Sequence, residues 1–380
     1  MIADLPNATT KAVSKQLVRL RNESGSMTLG RVMTLIVVVD EADADEAIEA
    51  AITASRQHPS RIIALVSGNP RAARRLDAQV RLGSDAGGSE IIVLRMYGEL
   101  TKHGASVVTP LLAADTPIVA WWPSGAQDVG SSPIGKLAGR RITDASLSND
   151  PRKALQRRRV EYTDGDTDMA WSRTTRWRGL LATALDLPPY EPVTSVTVTG
   201  ASDSASTDLL AGWLAVRLKC PVRRARSKPG TGLVNVVMER KSGAIELVRP
   251  DRQVGCLTQP GQPERQLDLT RPDRTESLAE ELSRLGGDEV YRQALVKGLP
   301  LVTNAPASKR STAKTGAKIA AATKATTKTT TKTTGAKTAA ATKAATKPTG
   351  AKTSAKKVVA TKTGARKAGA KKAAAKKAAK

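Results

Sequence analysis

Two α/β domains with mixed sheets, joined by a helical segment and followed by a disordered basic tail, are what this sequence predicts. Three observations carry that expectation. Residues 31–39 (RVMTLIVVV) and 61–66 (RIIALV) are apolar and β-branched in succession, with a helical period between them over 40–56. Strands buried on both faces around a crossover helix make a βαβ unit of a parallel sheet. The pattern restarts at 193–199 (VTSVTVT) with a helix over 207–218, and then five short strand-like runs follow with hairpin-length loops. From residue 308 the chain changes to repeats of Gly-Ala-Lys, Ala-Thr-Lys and Thr-Lys-Thr.

The elements follow in order. Val13, Leu17 and Leu20 share one face of a helix over 9–22. In the helix after Asp40, Ala44, Ala47, Ile48, Ala51 and Ile52 form the apolar stripe. Its acids crowd the first turns, where the helix dipole favours them. Further strands are expected at 77–82, 91–97, 117–122 and 141–143, with a helix over 100–112 and a basic helix over 151–160. A single strong helix is expected over 166–185, stopped by Pro188 and Pro189. In the second half, strands are expected at 222–225, 233–240, 244–248, 253–257 and 265–269, and helices at 276–285 and 288–296. The domains are therefore expected at 1–150 and 190–302, with a helical connector over 151–189 and the tail over 303–380.

Charge divides the chain the same way. Of 61 Lys and Arg residues, 21 fall within 309–380 beside no Asp or Glu, which leaves the body near +5 out of a total of +26. The tail holds no aromatic and almost no large apolar residue, so burial could not offset its ordering entropy. Its cations offer a sequence-blind contact to DNA or RNA phosphates. The candidates are Lys356, Lys357, Lys362, Arg366, Lys367, Lys371, Lys372, Lys376, Lys377 and Lys380.

Several classes fall away. No apolar run approaches the ~20 residues of a membrane span. Asp4 and Pro6 interrupt the first residues, so no secretory signal is expected. Cys220 and Cys256 are isolated, which argues against a disulfide scaffold or zinc module and for a cytoplasmic protein. Only His58 and His103 are present, and no nucleophile elbow exists. Residues 130–137 (GSSPIGKL) have phosphate-loop spacing, but Leu137 stands where the magnesium-binding hydroxyl belongs and Pro133 removes an amide. No catalytic constellation, metal or cofactor is expected.

Two segments hold more promise. Residues 164–178 (DGDTDMAWSRTTRWR) interleave Asp166 and Asp168 with Trp171, Trp177, Arg173, Arg176 and Arg178. Trp and Arg together anchor interfaces and hold anions; equally, the tryptophans could be core and the ions paired across a turn. The strand–turn–helix at 193–208 brings Ser204, Ser206 and Thr207 to a helix start, a candidate anion site that Asp203 and Asp208 oppose.

The blocks LGRVMTLIVVV (29–39), YGELTKHGASVVTPLL (97–112), DTPIVAWWP (115–123), DTDMAWSRTTRWRGLLATALD (166–186), YEPV (190–193) and STDLLAGWLA (206–215) closely resemble the OpcA family of glucose-6-phosphate dehydrogenase assembly proteins in its actinobacterial form. The similarity runs across residues 1–302. The resemblance implies a non-catalytic partner that promotes assembly of the dehydrogenase into its active oligomer and activates it allosterically in the oxidative pentose phosphate pathway. Partner contact is expected at Trp121, Trp122 and the 166–178 segment. The competing readings are a nucleoid-associated binder acting through the tail, and an enzyme of sugar phosphates using the 200–208 turn.

Overall fold

The apolar runs become strands in the computed structural model, which describes residues 1–24, 33–82, 89–113, 115–124 and 128–305. The first half runs β1 (Ile2–Leu5), α1 (Thr10–Ser24), β2 (Met33–Asp40), α2 (Ala44–Ser55), β3 (Ser60–Ser67), β4 (Arg75–Arg81), β5 (Glu90–Tyr97), α3 (Gly104–Val108), β6 (Ile118–Trp122), β7 (Arg140–Thr143) and α4 (Pro151–Val160). Next come β8 (Asp166–Asp168), α5 (Met169–Ser172) and α6 (Thr175–Leu185). The second half holds β9 (Ser195–Ala201), α7 (Ala205–Leu218), β10 (Val222–Ser227), β11 (Leu233–Glu239), β12 (Ile245–Val248), β13 (Val254–Thr258), β14 (Arg265–Asp268), α8 (Arg274–Leu282), α9 (Glu289–Arg292) and β15 (Val302–Ala305).

The first sheet has the order β1-β4-β5-β3-β2-β6-β7-β8. From β5 to β8 every pairing is parallel, and β4 and β1 add an antiparallel edge. Numbered by appearance, the six parallel strands run 3-2-1-4-5-6, the doubly wound order whose strand sequence reverses between β2 and β6. Period-2 alternation sends β2's Leu35, Val37 and Val39 to one face and Ile36 to the other. One face is covered by α2 together with α8, which supplies Leu278, Ala279 and Leu282 from far along the chain. The opposite face is covered by Val13, Leu17 and Leu20 of α1 and by Val107, Val108 and Leu111.

The second sheet runs β14-β13-β12-β11-β9-β10-β15. Parallel β9 and β10 are joined by α7, β15 pairs parallel to β10, and β11 to β14 form an antiparallel meander beside β9. Its core packs against α6 and α7. A further cluster joins Ala145, Leu155 and Ala170 to Trp171, Leu209, Tyr291 and Leu295, knitting α4, α5, α7 and α9 together. Both sheets lie within one compact unit. The mixed α/β class with two sheets is as expected, and the basic tail lies outside the described residues.

Three local expectations give way. The helix expected over 166–185 starts as β8, because Asp166–Asp168 pairs with β7; the chain then turns through two helices. The helix over 100–112 is broken into a 3-10 stretch Gly98–His103, α3 and a second 3-10 turn Thr109–Leu111 opened by Pro110, which has no amide to continue an α-helix. The last helix widens into a π-type stretch at Gln293–Gly298, where Gly298 lies so close to the Gly212 carbonyl of α7 that a Cβ there would collide with it. Edge strands β1 and β15, four residues each, had no periodic signal.

Candidate functional site

The strongest concentration of charge in the described residues lies where β7 and β8 end and α5 and α6 begin. Asp168 leaves β8 in an extended conformation and accepts the Ala170 N–H at 2.9 Å, capping α5. Its carboxylate also accepts from the Thr143 hydroxyl at 2.7 Å and the Ala145 N–H at 2.9 Å. Asp144, next in the chain after β7, takes a two-point contact from Arg173 at 2.8 and 2.7 Å. Asp166 pairs with Arg141, and Arg140 of β7 donates to Glu281 of α8 at 2.5 Å. The Thr167 hydroxyl reaches the same Glu281 at 3.0 Å. Each strand residue thus ties the first sheet either to the chain that follows it or to a helix over a hundred positions away.

The aromatic side of the junction is equally committed. Trp171 donates its indole N–H to Asp288 at 2.9 Å and packs its ring 6.0 Å from Tyr291. The Arg178 guanidinium carbon lies 3.7 Å from the centre of the Trp171 ring. That guanidinium donates to the Thr174 and Thr175 hydroxyls. Burial lowers the Arg178 pKa to about 10, opposed by Asp288 and Glu280. Burial, then the neighbouring Asp144 charge, push Asp168 up to about 7 against its hydrogen-bond donors. Burial acts to raise Asp288 too, but the Tyr291 and Trp171 N–H groups outweigh it and hold that carboxyl low.

The structure brings Asp166, Asp168, Trp171, Arg173 and Arg178 together and buries nearly all of this cluster. Trp177 faces the second core and lies under Arg249. Trp121 and Trp122, adjacent on β6, point to opposite faces of the first sheet. None of the four tryptophans presents a surface. Arg176 is the exposed member; its side chain is 46% accessible and pairs with Asp268 at 2.9 Å. Sequence reasoning missed Asp144, Arg140, Glu281, Asp288 and Tyr291. The one available signal was the Arg140–Arg141 pair within a strand, since charge in a buried strand demands partners.

The other candidates resolve locally. Ser204 caps α7, accepting from the Thr207 N–H at 3.3 Å and the Thr207 hydroxyl at 2.8 Å, while Ser206 is half-buried on the first turn. Asp203 accepts the Gly230 N–H and Asp208 pairs with Arg224 at 2.7 Å. In the 130–137 turn the Gly135 N–H is satisfied by the Ser132 hydroxyl, and a Cβ at Gly135 would collide with the Val129 carbonyl. The amide therefore faces inward and offers no phosphate cradle. The switch point between β2 and β6 is where this strand order places a dinucleotide. Here it opens on Glu41, Asp43, Asp45 and Glu46, and Ser124 donates to Asp43 at 2.6 Å. Glu41 and Asp45 pair with Arg95, and Glu46 with Arg274; with carboxylates at this turn in place of a glycine fingerprint, these residues do not fit a pyrophosphate. Among the described residues no group of three His, Cys, Asp or Glu could hold a metal, and no helix is long and apolar enough to cross a membrane. Both cysteines are free, and burial raises both thiol pKa values, Cys256 to about 11.

Comparison with known proteins gives the chain its place. No curated protein matches it significantly. Among solved structures it is similar to an oxidoreductase from Sinorhizobium meliloti, at 13% identity, covering 69% of this chain and 85% of that one with a TM-score of 0.38. It is also similar to myo-inositol dehydrogenase from Lactobacillus casei, at 10% identity, covering 71% and 94% with a TM-score of 0.34. Biliverdin reductase from Synechocystis matches at 12% identity, over 69% and 96%, with a TM-score of 0.31. Family models are more specific: residues 51–160 match the glucose-6-phosphate dehydrogenase subunit N-terminal domain, and residues 164–295 match the C-terminal domain. Together these matches cover most of the folded body, and the chain belongs to the OpcA family of glucose-6-phosphate dehydrogenase assembly proteins.

Proposed function

We propose that the two-sheet body performs no chemistry of its own and activates glucose-6-phosphate dehydrogenase by binding its active oligomer more tightly than its inactive form. The observation that carries this reading is the switch point: the turn after β2, where a doubly wound sheet would seat a pyrophosphate, carries ion-paired carboxylates and no glycine fingerprint. The charged junction supports it, since its acids and bases are engaged with one another rather than aimed at a substrate. A difference in affinity of ~1–3 kcal/mol between two forms of the enzyme shifts their ratio ~5–150-fold.

In this reading Asp166, Asp168, Trp171, Arg173 and Arg178 fix the junction, Trp121, Trp122 and Trp177 fill the cores of the sheets, and Arg176 lies at the exposed edge of that frame. The protein acts in the cytoplasm, beside its partner. The test is a titration of purified dehydrogenase with the full chain, reading kcat/KM and oligomer size together. Activation with a shift to the larger oligomer is expected. Turnover of a sugar phosphate by the chain alone, or unchanged kinetics and oligomer size, would refute the proposal.

A further inference from the structure

A cleft of about 350 Å³ opens under α4, outside the carboxyl ends of β6 and β7, and its lining includes Ser124, Asp144, Asp150, Lys153, Arg157 and Arg158. Carboxyl ends of parallel strands are where open α/β sheets bind ligands. The volume falls at the low end of the ~300–1,000 Å³ typical of small-molecule sites. Its acids are already neutralised. Asp144 is held by both Arg173 nitrogens, and Asp150 caps α4 through the Lys153 N–H at 3.0 Å with the Lys153 ammonium at 3.5 Å.

The guanidiniums keep free donors. Arg158 is only 7% exposed and lines the cleft; its charge acts on Asp168 and Glu161, yet its side chain makes no hydrogen bond among the described residues. The side chain of Arg157, exposed and adjacent on the same wall, makes none either, and its charge also acts on Glu161. Guanidinium N–H donors that no protein acceptor takes are free to hold the oxygens of an anion.

We propose that this cleft binds a small phosphomonoester, with its phosphate on Arg158 and Arg157 and its polar remainder toward Ser124. A phosphomonoester carries −1.5 to −2 charges near neutrality and three acceptor oxygens, enough to engage the free donors of both guanidiniums; a monocarboxylate would satisfy only one. The cleft adjoins the junction. Arg158 is among the charges that favour ionised Asp168, so an anion seated on it weakens that influence and links occupancy to the β7–β8 frame.

Isothermal titration of the full chain at physiological ionic strength, with inorganic phosphate, glucose 6-phosphate, glucose and gluconate, tests the proposal. Saturable binding of glucose 6-phosphate and phosphate is expected, with none for glucose or gluconate. Loss of a charge-assisted contact in Arg158→Gln should weaken binding about 10-fold or more. The tail is identical in both proteins and contributes a common background. Should Arg158→Gln fail to fold, Arg157→Gln, at an exposed position, must weaken binding instead. No saturable binding at millimolar phosphate ester, gluconate binding equally well, or an affinity unchanged in the folded variant overturns the proposal.

Discussion

Arg178 lies over the face of Trp171 at 3.7 Å, and the same indole donates its N–H to Asp288, so one side chain joins α6 to the start of α9. Trp171→Ala removes the ring, the hydrogen bond and the cation's platform together. A loss of ~3–5 kcal/mol is expected from urea unfolding. Trp171→Phe keeps most of the packing but leaves Asp288 without the indole donor, and should cost roughly 1–3 kcal/mol. Equal losses in the two variants would show that the hydrogen bond, not the ring, holds the junction.

Arg173 and Asp144 form a buried two-point pair. Arg173→Ala strands the Asp144 charge and is expected to destabilise by about 3–5 kcal/mol. The double variant Arg173→Met/Asp144→Leu removes both charges and should recover most of that loss. A double-mutant cycle in denaturant measures the coupling; additive losses would contradict it.

Asp168 gives stability a pH dependence of definite sign. Its folded pKa, about 7, lies above the ordinary carboxyl value, so between about pH 4 and pH 7 the folded protein holds a proton that the unfolded chain has released. The contribution is complete below the unfolded pKa and falls by about 1.4 kcal/mol per pH unit as pH rises through this window. Asp168→Asn should flatten that part of the stability–pH curve. An unchanged slope in the variant would place the titration elsewhere.

Arg176 is exposed, and its pair with Asp268 lies in solvent. Arg176→Ala should alter stability by no more than about 0.5 kcal/mol. If the outer edge of the 166–178 segment touches the dehydrogenase, the same variant lowers activation. Unchanged binding and activation would move the contact to another face.

Truncation after Ser308 separates the body from the tail. Residues 1–308 are expected to activate the dehydrogenase as the full chain does. Sequence-blind nucleic-acid binding is a separate proposal that rests on the tail's charge. It should vanish on truncation, and in the full chain, for 6–10 phosphates neutralised, fall ~10³–10⁵-fold between 50 and 200 mM salt. Filter binding at two salt concentrations and a dehydrogenase assay with both proteins decide the two points.

The sequence by itself determined the βαβ start, the restart near residue 193, the mixed class and the change of composition at the tail. Those features follow from local periodicity and charge, which need no knowledge of distant partners. It could not place β8, because Asp166-Thr167-Asp168 has no apolar alternation and becomes a strand only by pairing with β7. Nor could it assign the tryptophans and arginines of 166–178 to interior or surface. Burying Arg140 or Trp171 is tolerable only because Glu281 and Asp288, more than a hundred residues later, meet them. The free donors of Arg158 depend on the fold for the complementary reason: a guanidinium that no acceptor takes is defined only once every neighbour is in place.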